Sequence, residues 1–406
     1  MAAVLPALRR NLDLMPSPLP ERPGLLLRDP YRYAEAVLVV PSPLVPCLAF
    51  FNGEYAEADL RLALARLTGD VRAGDVIDHL RSTLSDSGFL EDDTYFRFRA
   101  EREQAFADAE RRDPAHAGSA YPGDAAALRA TLDGYFAGQG AAGDAPADEA
   151  LLGIAAPHVS PEGGWRSYAS AYRTLGPRLR ERTFVVLGTS HYGEADRFGL
   201  TRKPFLTPYG LTSVDVALVD RLIERGGESV RVEDYCHAVE HSIEFQVVFL
   251  QHLYGPDVRI LPILCGPLSR GADGWPEDVP AVGRFVGALR GLADEEGRRL
   301  AWVLGVDMAH VGRRYGDAEP ARAEEGAMLE VAARDRERCG RVAAGDAAGF
   351  WSLVRENGDD LRWCGASPLY VFLRAVAPAG GELLRYEQWN IDEQSVVSFA
   401  GMSFRR

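Results

Sequence analysis

Four histidines stand where apolar runs give way to sharply punctuated loops. Leu151–Ala156 is followed by Pro157-His158, and Thr183–Gly188 releases Thr189-Ser190-His191 about 30 residues later. Both runs lack polar alternation and read as interior strands. His241 lies in Val239-Glu-His-Ser-Ile-Glu-Phe-Gln246 and His310 in Gly305-Val-Asp-Met-Ala-His310. A lone histidine is more often a satisfied hydrogen-bonding residue than a ligand, but four at element ends shift that balance. Neutral imidazole is the commonest protein metal ligand, and two histidines with one anionic ligand leave positions open for substrate or oxygen.

The third ligand has four candidates: Glu240, Glu244, Asp307 and Cys364. Cys364 has the most distinctive setting, because Ser367-Pro368 reads as an N-cap with proline at the first helical position of a helix over 369–376. The positive end of that helix favours thiolate, whereas the plainer reading is a small buried hydrophobe. Cys265, inside Ile260-Leu-Pro-Ile-Leu-Cys-Gly266, reads as core. Asp307 and His310 have a spacing that suits a carboxylate–imidazole hydrogen bond, able to orient a general base or support a metal, or simply to close a loop. Glu240 and Glu244 fall one turn apart on an expected helix, where a solvated helix start explains one of them equally well.

The elements that must position these residues alternate from Leu151 onward. Helices are expected near 214–225, from about 240, near 279–294, 321–338 and 347–356, and strands at 258–264, 300–306, 382–388 and 395–404. This predicts an α/β domain, 114–406, with a central mostly parallel sheet flanked by helices. Ligands of such sheets bind outside the carboxyl ends of the strands, so His158 and His191 are expected to meet over one crevice. Residues 1–113 read as a separate small α+β module resembling a winged helix: strand pieces at 22–29 and 36–41, helices near 56–67 and 73–85, a closing strand at Tyr95-Phe-Arg-Phe98, and a linker helix over 97–112. Residues 137–149 are Gly/Ala/Asp-rich and read as a loop.

Composition narrows the function classes. The 406 residues carry a formal charge of -14, with no local basic patch, which argues against nucleic acid or anionic membrane as partner. No apolar run approaches the roughly 20 residues of a membrane span, and Met1-Ala-Ala-Val-Leu-Pro lacks the regions of a signal peptide, so a cytoplasmic location is expected. The five cysteines are scattered without a C-x-x-C pair, against a disulfide framework or zinc ribbon.

An ordered series of short motifs resembles the Memo family, of the AmmeMemoRadiSam system protein B type. The series is Ala117-Gly-Ser-Ala-Tyr-Pro, Ala156-Pro-His158, Gly188-Thr-Ser-His191, Thr207-Pro208 with Val214-Asp215, Glu240-His-Ser-Ile-Glu244, Asp307 to His310, and Cys364-Gly with Pro368. The family is similar in fold to class III extradiol dioxygenases. The resemblance implies His158, His191 and Cys364 as metal ligands, and His241 and the Asp307 segment as residues of the same pocket. Gln246 and Val159-Ser160-Pro161 depart from the family's usual residues, which bears on substrate more than on fold. The N-terminal region is similar to peptide-chaperone domains of the PqqD type, and the family implies a radical-SAM protein as partner.

Two functions follow as expectations. One is a non-haem oxidoreductase, dioxygenase-like, with Fe(II) on His158, His191 and Cys364 and with His241, Asp307 and His310 as catalytic residues; a cysteine ligand also admits copper or zinc. Its substrate would be a small molecule or peptide. The other is a non-catalytic module binding a peptide or protein in the same crevice. A hydrolase is a distant third, since Gly188-Thr-Ser-His-Tyr-Gly193 misses the G-x-S-x-G elbow by one residue.

Overall fold

Strands that are apolar without alternation must be covered on both faces, and four segments of this chain meet that condition. The computed structural model describes residues 4–68, 74–137, 150–269, 271, 274–378 and 380–406, and the chain divides into two compact units, Met1–Asp108 and Ala109–Arg406. The segment read as a loop at 137–149 lies, apart from Ala137, outside the described residues.

In the first unit β1 (Asp13–Pro16), β2 (Gly24–Arg28) and β3 (Val37–Pro41) form an antiparallel three-stranded sheet, followed by α1 (Glu57–Thr68), α2 (Gly74–Asp86) and α3 (Asp93–Asp108). Leu27 and Val40 from the sheet close a core with Leu60, Ile77, Leu84, Phe89 and Leu90. The strand expected at Tyr95–Phe98 is instead the first turn of α3, so the closing hairpin is not formed. Asp92 explains the difference: its carboxylate accepts from the amides of Thr94 (3.1 Å) and Tyr95 (3.2 Å), capping a helix whose surface carries an Arg99–Glu103 pair one turn apart. The helix also ends at Asp108, short of the expected Arg112. Inside this unit Arg9 and Asp29 form a fully buried bidentate pair at 3.0 and 2.9 Å, and Asp29 accepts from the amides of Tyr31 and Ala34.

The second unit runs α4 (Ala125–Ala137), β4 (Leu151–Ala156), α5 (Pro161–Tyr172), β5 (Thr183–Thr189), β6 (Phe198–Leu200), β7 (Leu206–Thr207), β8 (Gly210–Leu211), β9 (Ser213–Val214), α6 (Val216–Gly226) and β10 (Val230–Val232). It continues with α7 (Cys236–Val239), α8 (Glu244–Tyr254), β11 (Arg259–Cys265), α9 (Pro280–Glu296), β12 (Leu300–Gly305), β13 (Asp307–Gly312), α10 (Ala327–Ala343), α11 (Ala347–Arg355), α12 (Ala366–Val376), β14 (Gly380–Asp392) and β15 (Ser395–Arg405).

Among the described residues the large sheet has ten strands, in the order β10-β6-β11-β5-β12-β4-β15-β13, with β14 on β15 and β9 on β11. Its centre, β11-β5-β12-β4, is parallel, but β6 runs against β11, and β13, β14 and β4 all run against β15. The sheet is therefore mixed, parallel at its centre as expected and antiparallel where β6 and β15 join it. Of these antiparallel strands only β14 and β15 follow one another too closely for a helical crossover, and they turn back as antiparallel neighbours.

Alternate side chains of the central strands feed two separate cores. Val185, Leu187, Ile263, Trp302 and Leu304 pack under α6, α9, α11 and α12, while Phe184, Val186, Ile260, Ala301 and Val303 pack under α4, α5 and α8. Burying each larger one of these side chains contributes about 1.5–3 kcal/mol, which fixes strand order and leaves the strand ends as rigid mounts.

Asp29→Ala strands the Arg9 guanidinium in the first unit's interior, a loss of about 3–5 kcal/mol. Urea unfolding followed by far-UV circular dichroism is expected to show that loss, and amide exchange to show the protection of Tyr31 and Ala34 removed.

Candidate metal centre

The carboxyl ends of β4, β12 and β5 lie side by side, and the residues just beyond them carry the site. His158 follows β4 and His191 follows β5, with the end of β12 between them. The last carbonyl of β12, that of Gly305, lies 2.9 Å from His158 Nδ1. A carbonyl oxygen only accepts, so Nδ1 carries the proton and Nε2 turns its lone pair into the crevice. The His158 amide donates to Asp307 Oδ1 at 2.9 Å, and Gln246 Nε2 donates to the Pro157 carbonyl at 2.7 Å, fixing the turn that presents the ring.

His241 arrives from the break between α7 and α8, where a helix start near Glu240 was expected. Residues 240–243 instead descend onto the strand ends, which two glycines permit. A β-carbon on Gly305 would lie 2.1 Å from Ser242 O, and one on Gly188 would lie 2.5 Å from Ser242 Oγ. Either contact would lift the loop and His241 with it.

Glu240, weighed from sequence as a direct ligand, stands behind the imidazoles. It is 2% exposed, and its carboxylate accepts from the amides of His191 (2.8 Å), His241 (2.8 Å) and Ser242 (3.1 Å). It also meets His191 Nδ1 at 3.0 Å and His241 Nδ1 at 3.1 Å, which leaves both Nε2 atoms for the crevice. Burial alone would protonate it, but His191 and His241 hold its pKa well below the ordinary carboxylate range. Burial likewise opposes charge on His191, yet the Glu240 carboxylate and a hydrogen bond with Cys364 hold that imidazole's pKa well above its usual value. His158 moves the other way: burial, then the neighbouring His191 and His241, keep it neutral.

Nitrogens of His158, His191 and His241 all lie within 4.8 Å of one another. The ring centroids are 4.9 Å apart for His158 and His191, 5.2 Å for His158 and His241, and 4.8 Å for His191 and His241. Three convergent imidazoles, each with Nδ1 held by a protein acceptor, form a donor set that fits a metal ion.

Cys364 immediately precedes the Gly365 cap of α12, two residues earlier than the Ser367 cap expected. Its Sγ lies 3.2 Å from His158 Nε2 and 3.7 Å from the Asp307 carbonyl. The helix end does not make it a ready thiolate: burial pushes its pKa up despite the neighbouring His191. Cys265 is 1% exposed in the core.

Asp307 is buried, and desolvation pushes its pKa up to about 7 although the amides of His158 and Val159 bond to it. The Asp307–His310 hydrogen bond expected from spacing is not made. The two residues belong to strand β13, irregular in register between them, and His310 Nδ1 reaches the carbonyls of Met308 (3.0 Å) and Arg362 (3.2 Å) instead. Burial and then the charge of His191 lower the His310 pKa to about 4.

Glu244 is taken up elsewhere. Its carboxylate pairs with fully buried Arg112 and accepts from Tyr121 Oη and from the amides of Ala115 and His116 at 3.0 Å. Arg112 in turn donates to the carbonyls of His237 (2.8 Å) and Glu240 (2.9 Å), bracing the loop that carries Glu240. Sequence reasoning missed Arg112, which carries no motif of its own.

Comparison with known proteins gives a consistent result. The family model described as Memo-like protein matches residues 112–403. A "MEMO1 family protein" of Aquifex aeolicus is 25% identical over 383 residues, 93% of this chain and 95% of its own length. Proteins with that family name from Methanopyrus kandleri and Thermococcus kodakarensis are 28% and 29% identical, each over 73% of this chain and 99% of their own length. A solved structure of an uncharacterized protein from Escherichia coli K12 overlaps 55% of this chain and 86% of its own at 17% identity, with a TM-score of 0.31, too low to support a structural inference.

Glu240→Gln turns an amide NH2 toward donors that now meet oxygen. Zinc affinity, read by competition with a chelating dye, is expected to fall by about 10–100-fold in protein that remains folded by near-UV circular dichroism.

Proposed function

Since the chain belongs to the Memo family, we propose that its strand-end crevice is a non-haem metal centre held by His158, His191 and Cys364, serving an oxidoreductase of the dioxygenase-like kind. The observation that supports this reading is the direction of the imidazoles, whose Nδ1 atoms are engaged by Gly305 O and by the Glu240 carboxylate so that their Nε2 atoms are left for the crevice, that of His158 3.2 Å from the Cys364 sulfur. Fe(II) is the metal this reading favours, with copper or zinc as occupants a thiolate also accepts. When bound, the metal supplies the redox exchange that no side chain here offers. The chain's own residues do the rest. His241, in the same nitrogen cluster, is the acid/base group; Asp307 holds the His158 turn, and His310, on β13, is the further catalytic residue of this reading.

The finer family traits belong to the same proposal. They are a fold like that of class III extradiol dioxygenases, a cytoplasmic protein of the AmmeMemoRadiSam system protein B type, and a radical-SAM partner. The first unit would then be an interaction module of winged-helix or PqqD-like kind, and the substrate a small molecule or peptide. Among the described residues no helix is long and apolar enough to cross a membrane.

Three single-residue variants test the ligand set under anaerobic conditions, with folding checked by circular dichroism. Cys364→Ala is expected to lose metal affinity by at least about ten-fold and to make binding less pH-sensitive, because a thiol must shed its proton to coordinate. Cys265→Ala should do neither. Cys364→Asp recreates a two-histidine, one-carboxylate site and should shift preference toward Fe(II). Folded Cys364→Ala with wild-type affinity would remove the thiolate from the set and make His241 the third donor. Protein that takes up no metal at all would leave the non-catalytic binding module.

A further inference from the structure

The Glu240 clamp holds two imidazoles, but Cys364 arrives on a different segment that needs support of its own. Between α11 and α12 three non-glycine residues, Asn357, Asp359 and Arg362, sit in the left-handed region at φ 53°, 60° and 51°. That conformation is disfavoured for a residue with a β-carbon and persists only where neighbouring groups impose it. Several do. The Asp359 carboxylate accepts from the Trp363 amide at 3.2 Å, and Arg362 pairs with Asp317 at 2.6 Å. Thr189 Oγ1 donates to the Cys364 carbonyl at 3.0 Å, and the Gly365 amide donates to the Asp307 carbonyl at 3.0 Å.

The deepest support is the side chain of Trp363, next to Cys364 in the chain. Its Nε1 donates to Asp335 Oδ1 at 2.7 Å, and the guanidinium of Arg338, also on α10, lies over the ring at 5.5 Å from a centroid. Asp335 is 0% exposed. Its other oxygen, Oδ2, accepts from Tyr386 Oη on β14 at 2.8 Å and from Ser398 Oγ on β15 at 2.6 Å. Ser398 Oγ accepts in turn from the Ala309 amide at 2.9 Å, where the register of β13 with β15 is irregular between Asp307 and His310. One buried carboxylate therefore ties the residue before Cys364 to two strands of the sheet and, through Ser398, to the stretch of β13 that follows Asp307. The sulfur stands between these anchored segments, 3.7 Å from the Asp307 carbonyl and 3.2 Å from His158 Nε2.

We propose that Asp335 is the positioning residue of the Cys364 sulfur, acting through the Trp363 indole as Glu240 acts directly on the imidazoles. The proposal deepens the metal-centre reading, and rests on it only for what the sulfur does once a metal is bound. Losing the indole bond releases the segment at Cys364, whereas His191 and His241 keep their separate clamp on Glu240.

The test compares the full chain with Trp363→Phe, Asp335→Ala, their double variant and Asp335→Asn. In metal-free protein, iodoacetamide alkylation of each cysteine is followed by peptide mass spectrometry. Trp363→Phe is expected to speed alkylation of Cys364 by at least about ten-fold, Asp335→Ala to do the same, and the double variant to add nothing further. Asp335→Asn, whose amide oxygen still accepts from the indole, should stay near wild type. Cys339, one turn beyond Asp335 on α10 and buried, should remain unreactive in all of them, because only a loosening of the helix itself would expose it. In cobalt-loaded protein the thiolate-to-metal charge-transfer absorption should weaken in Trp363→Phe and Asp335→Ala while the imidazoles keep the cobalt bound. Wild-type alkylation of Cys364 in folded Trp363→Phe, additive effects in the double variant, or Cys339 reacting alongside Cys364 overturns the proposal. Wild-type protein that binds cobalt without that absorption removes Cys364 from the ligand set instead, and the alkylation rates alone then decide whether Asp335 holds it.

Discussion

A carboxylate buried as deeply as that of Glu240 persists in ionised form only where its lone pairs are matched, because desolvating an unpaired charge costs several kcal/mol. Here the matching groups are three backbone amides and two imidazoles from segments about fifty residues apart in sequence. The clamp works in both directions. Glu240 sets the tautomer and tilt of His191 and His241, and the two imidazoles keep Glu240 ionised.

That clamp depends on surroundings with no chemistry of their own. Gly188 and Gly305 give the 240–243 loop the depth it needs, and Arg112 with Glu244 braces the loop from behind. The central strands, buried on both faces, cannot slide without exposing one of two cores, so the strand-end histidines inherit their rigidity. His158 is held neutral while His191 carries charge in the metal-free protein, and Cys364 keeps its proton. A metal entering this cluster displaces protons, which couples its affinity to pH.

Much of this was legible in the sequence where one local pattern decided the outcome. The runs before His158 and His191 lack polar alternation, and they are the buried parallel strands β4 and β5. Features set by distant partners were not. Glu240 and Glu244 looked like neighbours on one helix; the structure gives them different tasks, because glycines more than fifty residues away on either side reshape the loop before α8. Tyr95–Phe98 is rich in aromatics as a strand often is, but the Asp92 cap makes it helix. The reversal between β14 and β15 follows from their short connection rather than from side-chain pattern.

X-ray absorption on anaerobically zinc-loaded protein tests the centre most directly, because it reads the donor atoms without altering the chain. Imidazole nitrogens at about 2.0–2.1 Å together with one sulfur at about 2.3 Å is the predicted first shell. A shell of nitrogen and oxygen with no sulfur would remove Cys364, and a spectrum without the multiple-scattering signature of imidazole would contradict the account as a whole.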